Sequence, residues 1–231
     1  MAPDARSLPL TTGPAKRPGR VTLRGRAVTL VPLDAQAHAD ALFEGANGGG
    51  KDQVWTYLFD GPFTDRAAFK ANIEAKAKSE DPLFFAVLDN AGGGPVGYQT
   101  LMRIDAAHRV IEVGNIMYTP ALQRTIGATE AQYLFARYIF DDLGYRRYEW
   151  KCNALNAPSR RAALRFGFTF EGVFRQHMIV KRANRDTAWY SMLDSEWPAR
   201  RAAFERWLAP GNFDAQGRQR TSLLAIDEGR E

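Results

Sequence analysis

The chain has 231 residues, 45% hydrophobic and 25% charged, with a net charge of +5. That balance suits a globular protein with a sizeable core and excludes a disordered or fibrous one. A single cysteine, Cys152, cannot form an internal disulfide, and three histidines show no metal-type spacing. A reducing, cytoplasmic setting without a metal centre is therefore expected. No apolar run is long enough to span a bilayer, and the first residues lack the apolar stretch of a signal peptide.

Residues 1–20 read as a flexible basic arm, with Arg6, Lys16, Arg17 and Arg20 spaced by Pro3, Pro9, Pro14 and Pro18. No aromatic residue interleaves with those cations, so the arm does not read as a nucleic-acid footprint. Ordered structure is expected from Val21. Val21–Pro32 alternates as a strand or a hairpin around Gly25, and Asp34 caps a helix to Glu44. A short helix follows over Lys51–Leu58. Gly61-Pro62 breaks the chain, and Thr64 is the expected cap of a helix running to about Lys78.

Strands are expected at Leu83–Asp89, Pro95–Ile104 and Val110–Tyr118, then a long helix over Thr125–Leu143. Tyr145–Asn153 reads as a strand, and Ser159–Phe166 as a short helix closed by Gly167. A strand pair, Phe168–Lys181 and Asp186–Leu193, precedes a helix over Trp197–Leu208. Residues 209–231 look like a loosely packed tail. The order implies a single α/β domain over 21–208 with a mixed sheet, not a doubly wound nucleotide fold, since neither GxGxxG nor GxxxxGK[ST] occurs.

The turn Gln123-Arg124-Thr125-Ile126-Gly127-Ala128-Thr129 runs from a strand directly into a helix. First-turn amides and the helix dipole make such a junction a seat for phosphate, although a plain connection has the same appearance. Asn156-Ala-Pro-Ser159 caps the next helix at a strand end, where ligands of open α/β sheets collect. Trp55, Tyr57, Phe59 and Phe63 crowd one segment, either as core or as the wall of a substrate pocket, with Trp55 and Tyr57 the candidates for substrate contact.

Together with Arg165-Phe-Gly-Phe-Thr-Phe-Glu-Gly and Asp186-Thr-Ala-Trp-Tyr-Ser, these motifs resemble the GNAT superfamily of N-acetyltransferases. The likeness is closest to the branch typified by RimJ/RimL ribosomal-protein acetyltransferases. The resemblance implies a mostly antiparallel central sheet flanked by helices and acetyl-CoA as cosubstrate. It implies direct acetyl transfer to a primary amine: a protein N-terminus, a peptide or a small amino compound.

It assigns the pyrophosphate loop to Gln123–Ala128, with Ile126 standing where the family usually has Gly. Gly127 then becomes the candidate for an unusual dihedral. Asn156 matches the residue that bonds pantetheine, and the backbone N–H of Ile116 beside Tyr118 is the polarising donor. Glu112, eleven residues before Gln123, falls at the general-base position of one branch. An extended strand places Glu112, Gly114 and Ile116 on one face, and burial among apolar neighbours raises a carboxyl pKa.

Many members carry a Tyr acid where this chain has Ala163, so Ser159 is the expected proton donor, with His177 and Tyr118 as other protic groups. A CoA-binding sensor without transferase activity is the alternative reading. The aromatic segment from Trp189 to Trp197, followed by Trp207, and the family's habit of pairing such strands point to a homodimer.

Overall fold

A computed structural model describes residues 13–227 and residue 229. Among the described residues eight strands form one sheet in the order β1-β2-β3-β4-β5-β6-β8-β7. They are β1 Leu23–Arg24, β2 Val28–Pro32, β3 Leu83–Asp89, β4 Pro95–Asp105, β5 Val110–Tyr118, β6 Arg147–Asn153, β7 Thr169–Val180 and β8 Ala183–Leu193. Neighbours run antiparallel except β5 and β6, which are parallel and joined by a helical crossover. The architecture is the mixed, mostly antiparallel sheet with flanking helices that the motif order implies.

Two helices, α1 Ala35–Ala46 and α2 Arg66–Lys78, cover one face. Their contact side is apolar at helical spacing: Ala35, Ala39, Leu42 and Ala46 on α1, and Phe69 and Ile73 on α2, all pack with Phe84, Tyr98 and Met117 of the sheet. Asp34 caps α1, accepting from the N–H of Ala37 at 2.7 Å. For α2 the cap is Asp65, not Thr64; its carboxylate accepts from both Ala67 and Ala68. An Asp one position later satisfies two first-turn amides at once, which one hydroxyl does not.

The opposite face carries α3 Ile126–Arg137, which continues as a wider π turn over Tyr138–Asp142, and α5 Trp197–Leu208. A short α4, Ala157–Arg165, lies beside them. Leu134, Phe135 and Ile139 meet Leu30, Phe85 and Leu101 there in the larger core. Glu130 on α3 is a buried charge in this layer. It accepts from the N–H groups of Arg26, Ala27 and Val28 at 2.9, 2.6 and 2.9 Å, and so fastens the β1–β2 turn to the helix.

Both ends of the chain pack more than their composition implies. Ala15 is buried, with its N–H on Ala106, and Gly19 donates to the hydroxyl of Tyr138. Residues 13–20 therefore lie on the domain, and the remainder of the expected arm falls outside the described residues. The tail is not loose either. Leu223 and Ile226 of α6 (Leu223–Asp227) sit in the larger core, 2% and 8% exposed, and Asp227 pairs with Arg200. Two apolar residues three apart on a short helix were enough to dock it. Among the described residues no helix is long and apolar enough to cross a membrane.

Candidate active site

The cleft begins where the sheet comes apart. Strand β5 pairs with β6 only from Val110↔Arg147 to Val113↔Trp150, after which the two strands diverge. On its other side β5 uses two residues where β4 uses one, between the pairs Thr100↔Gly114 and Tyr98↔Met117. The extra residue lies at Asn115, whose φ of 46° is left-handed. This is a β-bulge, and it re-aims the strand that follows. Residues 114–118 are left with one backbone edge toward the gap. The resulting cleft has a volume of about 1930 Å³ and is lined by residues from α3 to β8.

The bulge also shifts the alternation of β5. Glu112 and Gly114 share a face, since a Cβ on Gly114 would lie 3.4 Å from Oε1 of Glu112. Ile116 does not join them: it packs against the larger core, while Met117 belongs to the smaller one. One inserted residue moves every later side chain to the opposite face. Tyr118 lines the cleft, yet its hydroxyl is turned inward, bonded to Gln99 and to Gln132. Burial pushes its pKa up, so it is a poor source of acid.

One half of the cleft is lined by the turn before α3. Gln123, Arg124, Thr125, Ile126, Gly127, Ala128 and Thr129 all line it. Arg124, with φ 62°, carries the left-handed turn; Gly127 does not. Gly127 lies inside α3, and a Cβ there would come within 2.7 Å of Val28, so its role is to let the helix approach β2. Thr125 caps α3, its hydroxyl accepting from Ala128 at 3.2 Å. The amides of Ile126 and Gly127 have no acceptor one turn back and lie at the positive end of the dipole.

Across the gap Asn156 caps α4, accepting from the N–H of Ser159 at 3.1 Å, so the cap is Asn156 alone. Arg165 extends from α4 to Thr129, bonding its hydroxyl at 3.0 Å, and stacks over Trp207 at 4.8 Å. Burial holds this guanidinium below its usual pKa. Sequence reading quoted Arg165 only as part of a motif; a cation ahead of the helix-closing Gly167 was the available signal. Phe213, Gly217 and Gln219 of the tail close this half.

The other half is built from charged side chains. Glu112 is 4% exposed, with Oε2 lying 2.9 Å from Nζ of Lys151 and 3.2 Å from Nε of Arg103. Lys151 also contacts Glu149 at 2.6 Å and lies 3.9 Å from the ring centre of Trp189. Burial raises the pKa of Glu112 and is the larger effect; Lys151 and Arg103 pull it back. Lys151 was missed, although a lysine between Trp150 and Cys152 on an inward strand is a visible oddity.

Ser159 lines the junction of the halves, its Oγ accepting from the indole of Trp150 at 3.0 Å. Cys152 lies beside it, with burial raising the thiol pKa and the Ser159 hydroxyl pulling the other way. His177 bonds Thr187 at 3.0 Å and faces the cleft.

Of the two aromatic residues expected at the acceptor, Trp55 is core. It is 0% exposed, packed edge-on against Phe63 and Phe69, and its indole donates to Ala46. A large apolar ring at the meeting of α1 and α2 fills space there that no smaller residue would. Tyr57 does line the cleft, its hydroxyl reaching the carbonyl of Leu155 at 3.1 Å. Among the described residues no group of three His, Cys, Asp or Glu side chains is placed to hold a metal ion.

Residues 27–169 match the acetyltransferase (GNAT) domain. A GCN5-related N-acetyltransferase from Brucella melitensis is 53% identical over 93% of this chain and 97% of its own, with a TM-score of 0.92. A GNAT-family protein from Chromobacterium violaceum is 42% identical over 86% of this chain and 100% of its own, with a TM-score of 0.77. The microcin C7 self-immunity acetyltransferase MccE, solved with acetyl-CoA and AMP, is 21% identical over 73% of this chain and 93% of its own, at TM-score 0.64, and shares the fold. No curated protein matches the sequence. The chain belongs to the GNAT acetyltransferase family.

Proposed function

We propose that the protein is a cytoplasmic, acetyl-CoA-dependent N-acetyltransferase of the RimJ/RimL-like branch that moves the acetyl group directly to a primary amine. The observation that carries this reading is the juxtaposition of the β5 edge after the Asn115 bulge with the N-terminus of α3. The residues present suit an acyl-CoA. The amides of Ile126 and Gly127 and the turn at Arg124 offer donors to a pyrophosphate, and Arg165 adds charge nearby. The edge of β5 at Ile116 and Tyr118 offers peptide groups to the pantetheine arm, with Asn156 opposite.

When bound, the thioester supplies the activated acyl group. Glu112 takes the amine proton, directly or through water; a carboxyl with a raised pKa is better matched to that task than an exposed one. Ile116 directs its N–H at the thioester oxygen. Ser159 accepts from Trp150 and bonds Cys152, and turning its hydrogen from that sulfur into the cleft would let it donate to the departing thiolate.

One observation favours the alternative, a CoA-binding module without transfer: Glu112 is already paired to Lys151 and Arg103. Thiol release from acetyl-CoA on adding an amine and N-terminal peptide library decides between them. Tight acetyl-CoA binding with no release for any amine overturns the transferase reading. A homodimer also belongs to this proposal. Trp197 and Trp207 are buried in the chain itself, so the support is the exposed apolar residues Phe170, Val173 and Ile179 on edge strand β7. Sedimentation at a monomeric mass across all concentrations removes it.

A further inference from the structure

Arg185 of β8 lines the acceptor half of the cleft, 8% exposed. Among the described residues its side chain makes no hydrogen bond and no ion pair, and its Nε is buried without an acceptor. Its guanidinium lies over the ring of Phe59, 5.3 Å from the centroid. Stacking occupies the face of the guanidinium and leaves its in-plane N–H donors open.

The nearby carboxylates are all engaged elsewhere. Glu112 faces Lys151 and Arg103, Glu149 faces Lys151 and Arg147, and Glu171 faces Arg147. Asp186, the next residue, accepts from the backbone of Gln176 and the side chain of Asn184. Burial is the largest influence on Arg185 and lowers its pKa, Cys152 and Glu112 pulling it back only in part. A desolvated guanidinium in that condition is strained electrostatically until an anion is brought to it, and its fork fits two oxygens of one group.

We propose that Arg185 anchors a carboxylate of the acceptor, so that the amine substrate of this enzyme also carries an acidic group. The proposal rests on the N-acetyltransferase reading above and narrows its substrate. Tyr57 and Phe59, on the segment facing Arg185, supply apolar walls for the body of that substrate. A phosphate would present similar oxygens. The carboxylate is preferred because one fork with one aromatic wall matches a planar group, whereas a dianion calls for several cations.

The test uses the full chain and thiol release with free L-amino acids and short acidic peptides, the amides of the same compounds, and phosphoethanolamine. Carboxylate-bearing amines should exceed their amides by roughly 10- to 100-fold in kcat/KM, the scale of a charged hydrogen-bonded contact. Arg185→Met should raise KM for the carboxylates by that factor and erase the preference, leave kcat for the amides close to native, and not lower Tm. Arg185→Lys should restore part of it.

The assignment is overturned if carboxylates are acetylated no better than amides or not at all, if phosphoethanolamine is preferred, or if the preference survives Arg185→Met. Calorimetry with acetyl-CoA is read separately. Native protein that does not bind it counts against the transferase reading itself, whereas intact binding without a carboxylate preference removes only the role of Arg185.

Discussion

The two halves of the cleft are made of different material. On the α3 side the donors are backbone: amides at a helix start, the edge of a bulged strand, and caps from Thr125 and Asn156. On the β8 side the working groups are side chains, with Glu112, Lys151, Arg103 and Arg185 contributed by three strands and the β4 end. A backbone site tolerates a change of side chain, which is why Ile126 can stand in a position usually held by Gly. A side-chain site depends on desolvation and on each partner's charge. Substitutions should therefore act mainly on turnover or on the KM of the amine at the β8 end and mainly on cofactor affinity at the α3 end.

Glu112→Gln applies the strongest pressure to that division. It keeps the shape and removes the proposed base, so turnover should fall roughly 10²- to 10⁴-fold with acetyl-CoA affinity unchanged. In the native enzyme the rate should rise with pH as Glu112 loses its proton, with the acid limb above the ordinary carboxylate range. Lys151 holds that pKa down, so Lys151→Met should move the limb to higher pH. A pH–rate profile of both proteins checks the sign. A Glu112→Gln enzyme within a few-fold of native would take the base away from this half.

Leu223→Ala tests whether the tail belongs to the α3 half. Leu223 is 2% exposed in the larger core, and a buried Leu truncated to Ala costs about 2–5 kcal/mol. For a chain of this size that corresponds to roughly 2–4 °C in Tm per kcal/mol. The loss should be accompanied by weaker acetyl-CoA binding, because Phe213 and Gln219 line the same end. A melting curve that does not move would return the tail to the loose state its composition suggests.

Much of the α3 half could be read from the sequence, and the reason is local. Strand Val110–Tyr118, the helix start near Thr125, Asn156 and Gly167 are set by residues within a few positions of one another, so spacing alone places them. What spacing could not show is the bulge at Asn115, which displaced Ile116 from the face of Glu112, and the left-handed turn at Arg124 in place of Gly127. The charged half was legible only at Glu112. Lys151 reaches it through the parallel β5–β6 register, and Arg185 and Phe59 meet across 126 residues (185 − 59), so no local pattern announces them. Trp55 was misread because an aromatic cluster looks the same in a list whether it lines a pocket or fills a core.

At the cofactor end the sharper probe is Ile126→Pro. The first helical position tolerates proline, and Thr125 before it is already extended, with φ −94° and ψ 169°, as a residue preceding proline requires. The change deletes one N–H from the loop while sparing the helix. Acetyl-CoA affinity should weaken roughly tenfold, the worth of one hydrogen bond to a charged group, with kcat nearly unchanged. Calorimetry for binding and circular dichroism for the helix separate this from unfolding. Gly127→Val is a poorer choice, since the collision with Val28 would disturb packing as well as binding.

The smallest effect is expected where the halves are tied together. The Tyr57 hydroxyl donates to the carbonyl of Leu155 across the cleft mouth, and Lys181 holds the same segment through the carbonyl of Trp55 at 2.8 Å. Tyr57 is 38% exposed, so water can replace its bond, and Tyr57→Phe should cost about 1 kcal/mol or less in stability. Its ring would still line the pocket, so kcat should stay within about twofold. Because the segment positions Phe59 over Arg185, KM for the amine should rise two- to fivefold by loosening that wall, an order-of-magnitude figure for one solvent-accessible hydrogen bond. KM for acetyl-CoA should not follow. Steady-state kinetics with each substrate varied in turn reads both constants. Equal changes in the two would mean that the Tyr57–Leu155 tie shapes the whole cleft, and the division between its halves would fail at that point.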